Sequence, residues 1–223
     1  MERNKGISTA SIEACGSGKD QERPGGAPRH LQALVPEPVC QSLLEQLWIA
    51  LRRENVQACR PDNAILRKPA LEVHGGDYPP MAHFHWGLTP ALKEVCDADL
   101  LPSFSYFRLY VGGDICRVHS DRRASEFSLS LTLAYSDGVP WAFSVGTQAV
   151  TEHDPGRVTD GFGDEPFSTF LMKPGDAVFY PGLALRHGRL EPNPNKWSAH
   201  LFLQWVSRGG PNEEFALERS ARA

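Results

Sequence analysis

The spacing of apolar residues changes character along the chain. From residue 35 to about 55, Val39, Leu43, Leu47, Trp48 and Leu51 recur at three- and four-residue steps, which predicts a helix with one packing face. Pro38 suits its first turn, where a missing N–H removes no bond. Thr89-Pro90 reads as an N-cap followed by the first helical position and predicts a second, shorter helix from there to residue 100. Beyond Pro102 the pattern becomes short β-rich runs at 104–111, 115–119, 127–135, 141–145, 167–172, 176–180 and 196–206. Gly112-Gly113-Asp114, Ser136-Asp137-Gly138, Lys173-Pro174-Gly175-Asp176 and Pro181-Gly182 punctuate them as turns. Strict alternation puts Phe127, Leu129, Leu131, Leu133 and Tyr135 on one side of their strand and Ser128, Ser130, Thr132 and Ala134 on the other. The expected fold is mainly β with supporting helices, a jelly roll. Two segments, 72–88 and 146–166, find no place in the sheet pattern; one or both are expected to be loops folding over the mouth of the site as a lid.

Composition narrows the class. At 223 residues, with 41% hydrophobic and 22% charged residues, the chain suits one globular domain and a tail. Residues 1–34 mix polar residues without periodicity and are expected to be a flexible leader, with a single domain over 35–223. A net charge of −4 offers no basic footprint for nucleic acid, and no run reaches the ~20 apolar residues of a membrane span. Five cysteines, odd in number and irregularly spaced, favour reduced thiols in a cytoplasm. Zinc is disfavoured by the absence of Cys-x-x-Cys pairs.

The chemistry concentrates in His119-Ser120-Asp121 and His187. Residues at i and i+2 of an extended strand share a face, so His119 and Asp121 can reach one metal ion, with His187 supplied from another strand. Two imidazoles and one carboxylate form the facial set of non-haem Fe(II) sites and leave coordination positions open. Lys196 and Ser198 share a face of a following apolar strand, where an ammonium beside a hydroxyl can hold a small carboxylate. Arg189 and Arg186 are the next candidates for that role. His83 and His85 form another i, i+2 pair, placed by this reading near the mouth with Trp141 and Arg122 as substrate contacts.

Taken together, these residues resemble the Fe(II)/2-oxoglutarate-dependent oxygenases, specifically their prolyl-4-hydroxylase-like branch. The likeness spans about 104–206, the expected catalytic core, and includes Tyr135 sixteen residues after His119, Tyr110 nine before it, Lys196 nine after His187, and the turn and strand Lys173-Pro174-Gly175-Asp176-Ala177-Val178-Phe179-Tyr180. The resemblance implies a double-stranded β-helix, a jelly roll of cupin-like form. It implies Fe(II) on His119, Asp121 and His187; 2-oxoglutarate held by Lys196, Ser198, Tyr135 and Tyr110; O2 as oxidant; and ascorbate as an optional stimulant. It implies a dioxygenase that couples decarboxylation of 2-oxoglutarate to hydroxylation of an amino-acid, peptidyl (including prolyl) or small biosynthetic substrate. The competing readings are a non-catalytic, cupin-like metal-binding or 2-oxoglutarate-sensing protein, and a metal-dependent hydrolase or isomerase of the same fold, which would not need Lys196.

Overall fold

The computed structural model describes residues 26–53, 58–60, 64–150, 154 and 156–217. Ten strands and two helices run in the order β1 (Arg29–Leu31), α1 (Glu37–Arg52), β2 (Leu71–His74), α2 (Pro79–Cys96), β3 (Leu100–Val111), β4 (Cys116–His119), β5 (Phe127–Tyr135), β6 (Phe143–Gly146), β7 (Phe167–Phe170), β8 (Ala177–Tyr180), β9 (His187–Arg189) and β10 (Trp197–Ser207). They make a six-stranded sheet, β1-β8-β5-β10-β3-β2, facing a four-stranded one, β4-β9-β6-β7, with every pairing antiparallel. Consecutive strands alternate between the sheets from β3 onward except where β6 and β7 form a hairpin, which is the winding of a jelly roll. Arg29–Leu31 already pairs with β8, so the ordered domain starts before the expected boundary at residue 35; residues 1–25 lie outside the described residues.

The helices cover the outer face of the large sheet. Leu44 and Leu47 of α1, Met81 and Leu92 of α2, and Phe127, Leu129, Leu131, Leu201, Leu203 and Trp205 of the sheet form one core. Full burial of each such side chain stabilises the fold by about 1.5–3 kcal/mol. The buried stripe of α1 is Cys40, Leu44 and Leu47, while Val39 is exposed, so the packing face is rotated by one residue from the expected one.

Segment 72–88 is not a loop. Its first residues complete β2, and Pro79-Pro80 open α2 at the positions where N–H groups lack partners. Thr89-Pro90 therefore sits inside a helix rather than at its start. Proline there removes a backbone bond, but packing outweighs the loss. The Thr89 hydroxyl donates to His85 O at 3.0 Å and accepts from Trp205 Nε1 at 2.9 Å, and four buried residues, Met81, His85, Thr89 and Leu92, dock that face on the sheet.

Segment 146–166 is a connection between β6 and β7, but its second half is tethered. Val118 and Thr159 exchange backbone bonds of 2.8 and 3.0 Å, and Arg186 reaches Glu165 at 3.1 Å. It lies along β4 beside His119 as an added edge rather than a free lid; residues 151–153 and 155 are outside the described residues. No helix among the described residues is long and apolar enough to cross a membrane.

Candidate metal centre

β4 and β9 are neighbours in the small sheet, and His119 lies directly opposite His187 in their register. Asp121 follows just beyond the end of β4, where its N–H donates to Gly182 O at 2.9 Å. The ligating atoms of the three residues lie within 4.8 Å of one another. Asp121 Oδ1 is 3.5 Å from His187 Nε2 and 3.9 Å from His119 Nε2.

The outer nitrogens fix the tautomers. His119 Nδ1 is 2.7 Å from Arg117 O, and His187 Nδ1 is 3.0 Å from Leu185 O. A carbonyl can only accept, so each Nδ1 carries the proton and each Nε2 presents a lone pair toward Asp121. Burial, reinforced by the neighbouring His187, holds the His119 imidazole down at about 3. Burial works to raise the Asp121 carboxyl, but His187 outweighs it and the group is held down at about 2. A neutral His119 imidazole beside an ionised Asp121 carboxylate matches the ligand states that a divalent metal requires.

Two residues that the sequence reading passed over shape the carboxylate. Ser128 donates its hydroxyl to Asp121 Oδ2 at 2.7 Å and contacts Gln204 Oε1 at 2.5 Å. Gly182 lies so close that a Cβ there would collide with Ser128 Oγ and Asp121 Oδ2. The turn Pro181-Gly182 was visible in the sequence, yet only the fold reveals what its glycine faces.

Facing strands of the large sheet form the wall behind the metal in rows. Tyr110, Ser198 and Tyr135 are paired across β3, β10 and β5, and Arg108, His200 and Thr132 form the next row. Tyr135 reaches this wall through a β-bulge. Ala199 pairs with Ala134 but His200 pairs with Thr132, so Leu133 is the extra residue and the alternation flips. Tyr135 therefore sits on the side of Ser128, Ser130 and Thr132, rather than with Phe127, Leu129 and Leu131 as strict alternation predicts.

Lys196 does not join this wall. It precedes β10, which begins at Trp197; its side chain is 86% exposed and its ammonium faces Asp137 at 3.9 Å. Two buried cations face this interior: Arg108, paired with Glu72, and Arg189, which is 1% exposed and two residues beyond His187 on the same face of β9. Its guanidinium donates to Trp141 O at 2.5 Å, approaches His200 Nδ1 at 3.3 Å, and lies between the rings of Trp141 (4.7 Å) and Phe143 (5.2 Å). No carboxylate pairs with it among the described residues. Arg186 is spent on Glu165 and Val118 O.

Other donors share the interior. Burial, with Arg189 and Arg108 nearby, keeps His200 neutral. With Arg189 donating to its Nδ1, the proton of His200 is on Nε2, which is buried without a partner; so are Tyr135 Oη and Ser130 Oγ. Tyr135 packs edge-on to His200 with ring centres 5.7 Å apart. Tyr110 Oη accepts from Arg108 at 3.1 Å, and Ser198 Oγ accepts from Asn193 Nδ2 at 3.0 Å. Buried polar groups normally have partners; here a buried guanidinium and three partnerless polar atoms share one interior.

The expected substrate contacts divide. Trp141 is 1% exposed, donates Nε1–H to Glu191 O at 2.7 Å and packs against the Arg189 guanidinium, so it is an interior residue and not one at the mouth. His85 is buried in α2 against the Trp205 ring at 4.5 Å, and His83 is exposed on the same helix beside Trp86; the helix lies on the far face of the large sheet, so neither reaches the metal set. Arg122 is exposed, next in sequence to Asp121, with its guanidinium 4.3 Å over Phe104.

Comparison with solved structures gives the same fold. The chain is similar to the non-heme alpha-ketoglutarate-dependent carbocyclase SnoK from nogalamycin biosynthesis (TM-score 0.63, 11% identity, covering 84% of each chain). It is similar to HygX from Streptomyces hygroscopicus, a structure with nickel and 2-oxoglutarate bound (TM-score 0.57, 10% identity, 82% of this chain and 83% of that one). It is also similar to a Pseudomonas putida prolyl-4-hydroxylase (TM-score 0.54, 14% identity, 82% and 94%). The architecture is thus the double-stranded β-helix that these enzymes have. No family model matches the chain, and no curated protein matches it.

Proposed function

We propose that this chain is a non-haem Fe(II) oxygenase that couples oxidative decarboxylation of 2-oxoglutarate to oxidation, in the first instance hydroxylation, of an amino-acid, peptidyl or small biosynthetic substrate. The observation that carries the reading is the convergence of two Nε2 lone pairs and one carboxylate, each imidazole locked by a backbone carbonyl. Three ligands on one side of an ion leave positions for a chelating co-substrate and O2, and bound Fe(II) would supply the redox chemistry. His119, Asp121 and His187 hold the metal. Ser128 orients the Asp121 carboxylate, leaving Oδ1 for the ion.

Arg189, with Tyr135 and His200, holds the distal carboxylate of 2-oxoglutarate. His187 and Arg189 sit two residues apart on one strand face, roughly 6.6 Å, which suits a five-carbon diacid gripped at both ends. The buried guanidinium without an anion supports this assignment over Lys196. Substrate enters from the side of Arg122 and Phe104.

The test is turnover. With Fe(II), O2 and ascorbate, the protein is expected to convert 2-oxoglutarate to succinate, faster when a screen of amino acids, proline-containing peptides and small biosynthetic molecules includes its substrate. Binding of Fe(II) and 2-oxoglutarate without succinate under every condition returns the chain to the non-catalytic, sensing reading.

A further inference from the structure

A second set of metal-ligating groups lies on the other side of Arg108 from the barrel interior. Cys59, Glu72 and His74 place one sulfur, one oxygen and one nitrogen within 4.8 Å of one another. Glu72 and His74 are i and i+2 on β2, so they share a face. Cys59 is brought alongside by an isolated antiparallel bridge to Glu72, with backbone bonds of 2.9 and 2.8 Å. We infer that Cys59, Glu72 and His74 bind a second divalent cation of the zinc class, separate from the centre at His119, Asp121 and His187.

The separations fit such an ion. A tetrahedral centre with bonds of about 2.3 Å to sulfur and about 2.0–2.1 Å to nitrogen and oxygen puts S and N about 3.5 Å apart and N and O about 3.3 Å apart. His74 Nε2 is 3.7 Å from Cys59 Sγ and 3.9 Å from Glu72 Oε2, and all three atoms lie within 4.8 Å of one another, so closing on an ion takes side-chain shifts of roughly half an ångström or more. Glu72 is held for the task. It is 4% exposed, and its Oε1 accepts from Arg108 Nε at 2.5 Å, which leaves Oε2 turned to His74. One thiolate, one imidazole and one carboxylate form a donor set that suits zinc, with solvent at the half-open fourth position. Burial, then the charges of Glu72 and Asp77, raise the Cys59 thiol without a cation. A divalent ion among these groups reverses that sign and stabilises the thiolate. Zinc sites are often read from Cys-x-x-Cys pairs; here the cysteine and its partners are separated in sequence and joined by sheet pairing.

Cobalt(II) distinguishes the two centres, because the set at His119 contains no sulfur. Metal-free full-length protein titrated with Co(II) is expected to bind two equivalents and to show a near-ultraviolet sulfur-to-cobalt charge-transfer band. Cys59→Ser and His74→Ala should each remove that band and one equivalent, whereas His119→Ala should keep the band. Because Cys59 is exposed, its serine variant tests the site without disturbing the core. A wild-type protein lacking the band, or a band that survives Cys59→Ser, overturns the inference. Neither result bears on 2-oxoglutarate turnover.

Discussion

At the scale of single residues, the account rests on what sits beside each ligand. Gly182→Ala drives a methyl group into Ser128 and the Asp121 carboxylate, and disturbing such orienting contacts typically costs 10- to 100-fold in metal affinity. The expected result is an Fe(II) affinity lower by about 10- to 100-fold with an unchanged melting profile, measured by metal titration and thermal unfolding. Unaltered affinity would remove Gly182 and Ser128 from the site. The two basic candidates separate in the same way. Charge-assisted bonds are worth about 1.5–3 kcal/mol, or about 10- to 100-fold. Arg189→Met should therefore raise the 2-oxoglutarate concentration needed for half-maximal turnover about 10- to 100-fold, while Lys196→Ala leaves it unchanged. The opposite pattern would return the carboxylate to Lys196. The metal set was legible because a His-x-Asp pair and a distant histidine need only local extended geometry. Arg189 follows the same spacing from His187, but the apolar strand after Lys196 points to Lys196, which the fold leaves exposed. An exposed side chain at a strand's first step is indistinguishable in sequence from a buried one inside it.

At the scale of elements, strand existence was easier to read than strand phase. The β5 run at 127–135 matches its observed bounds, yet one bulge at Leu133 reverses the side on which Tyr135 emerges. A bulge depends on how two strands twist past each other, which one strand's residues do not encode. The α2 start was missed because Thr89-Pro90 carries a strong cap signal locally, whereas the docking of Met81, His85 and Leu92 is a tertiary fact. That docking has a measurable consequence. Burial, opposed only by a backbone hydrogen bond to Gln204, holds His85 down at about 3, against an ordinary histidine near 6.5. Below about pH 6.5 the unfolded chain takes a proton that the folded chain refuses, so stability is full above that pH and falls as the pH drops toward 3. The contribution lost by pH 5 is about 2 kcal/mol. His85→Leu should flatten the acid limb of stability against pH by about that amount in denaturant titrations; an identical slope in both proteins would contradict the assignment.

For the whole molecule, the two sheets explain why distant residues meet. The jelly-roll winding puts β4 beside β9 and β3 beside β10, which brings His119 opposite His187 and Tyr110 opposite Ser198. The short strands and Gly/Pro turns foretold this architecture, and solved structures with 10–14% identity have it. The segment from 146 to 166 was less legible: its glycines and acidic residues suggest mobility, but Thr159 and Glu165 find partners at Val118 and Arg186 only once the sheet is closed. The barrel interior thus joins the set of His119, Asp121 and His187 to a buried cation. The central claim, that one 2-oxoglutarate bridges these two features, is tested most directly by titrating it anaerobically into the Fe(II)-loaded protein and following visible metal-to-ligand charge-transfer absorption. The account predicts a band that saturates at one 2-oxoglutarate per chain and is absent in His187→Ala. No band in the wild-type protein, or an equal band in His187→Ala, would contradict it.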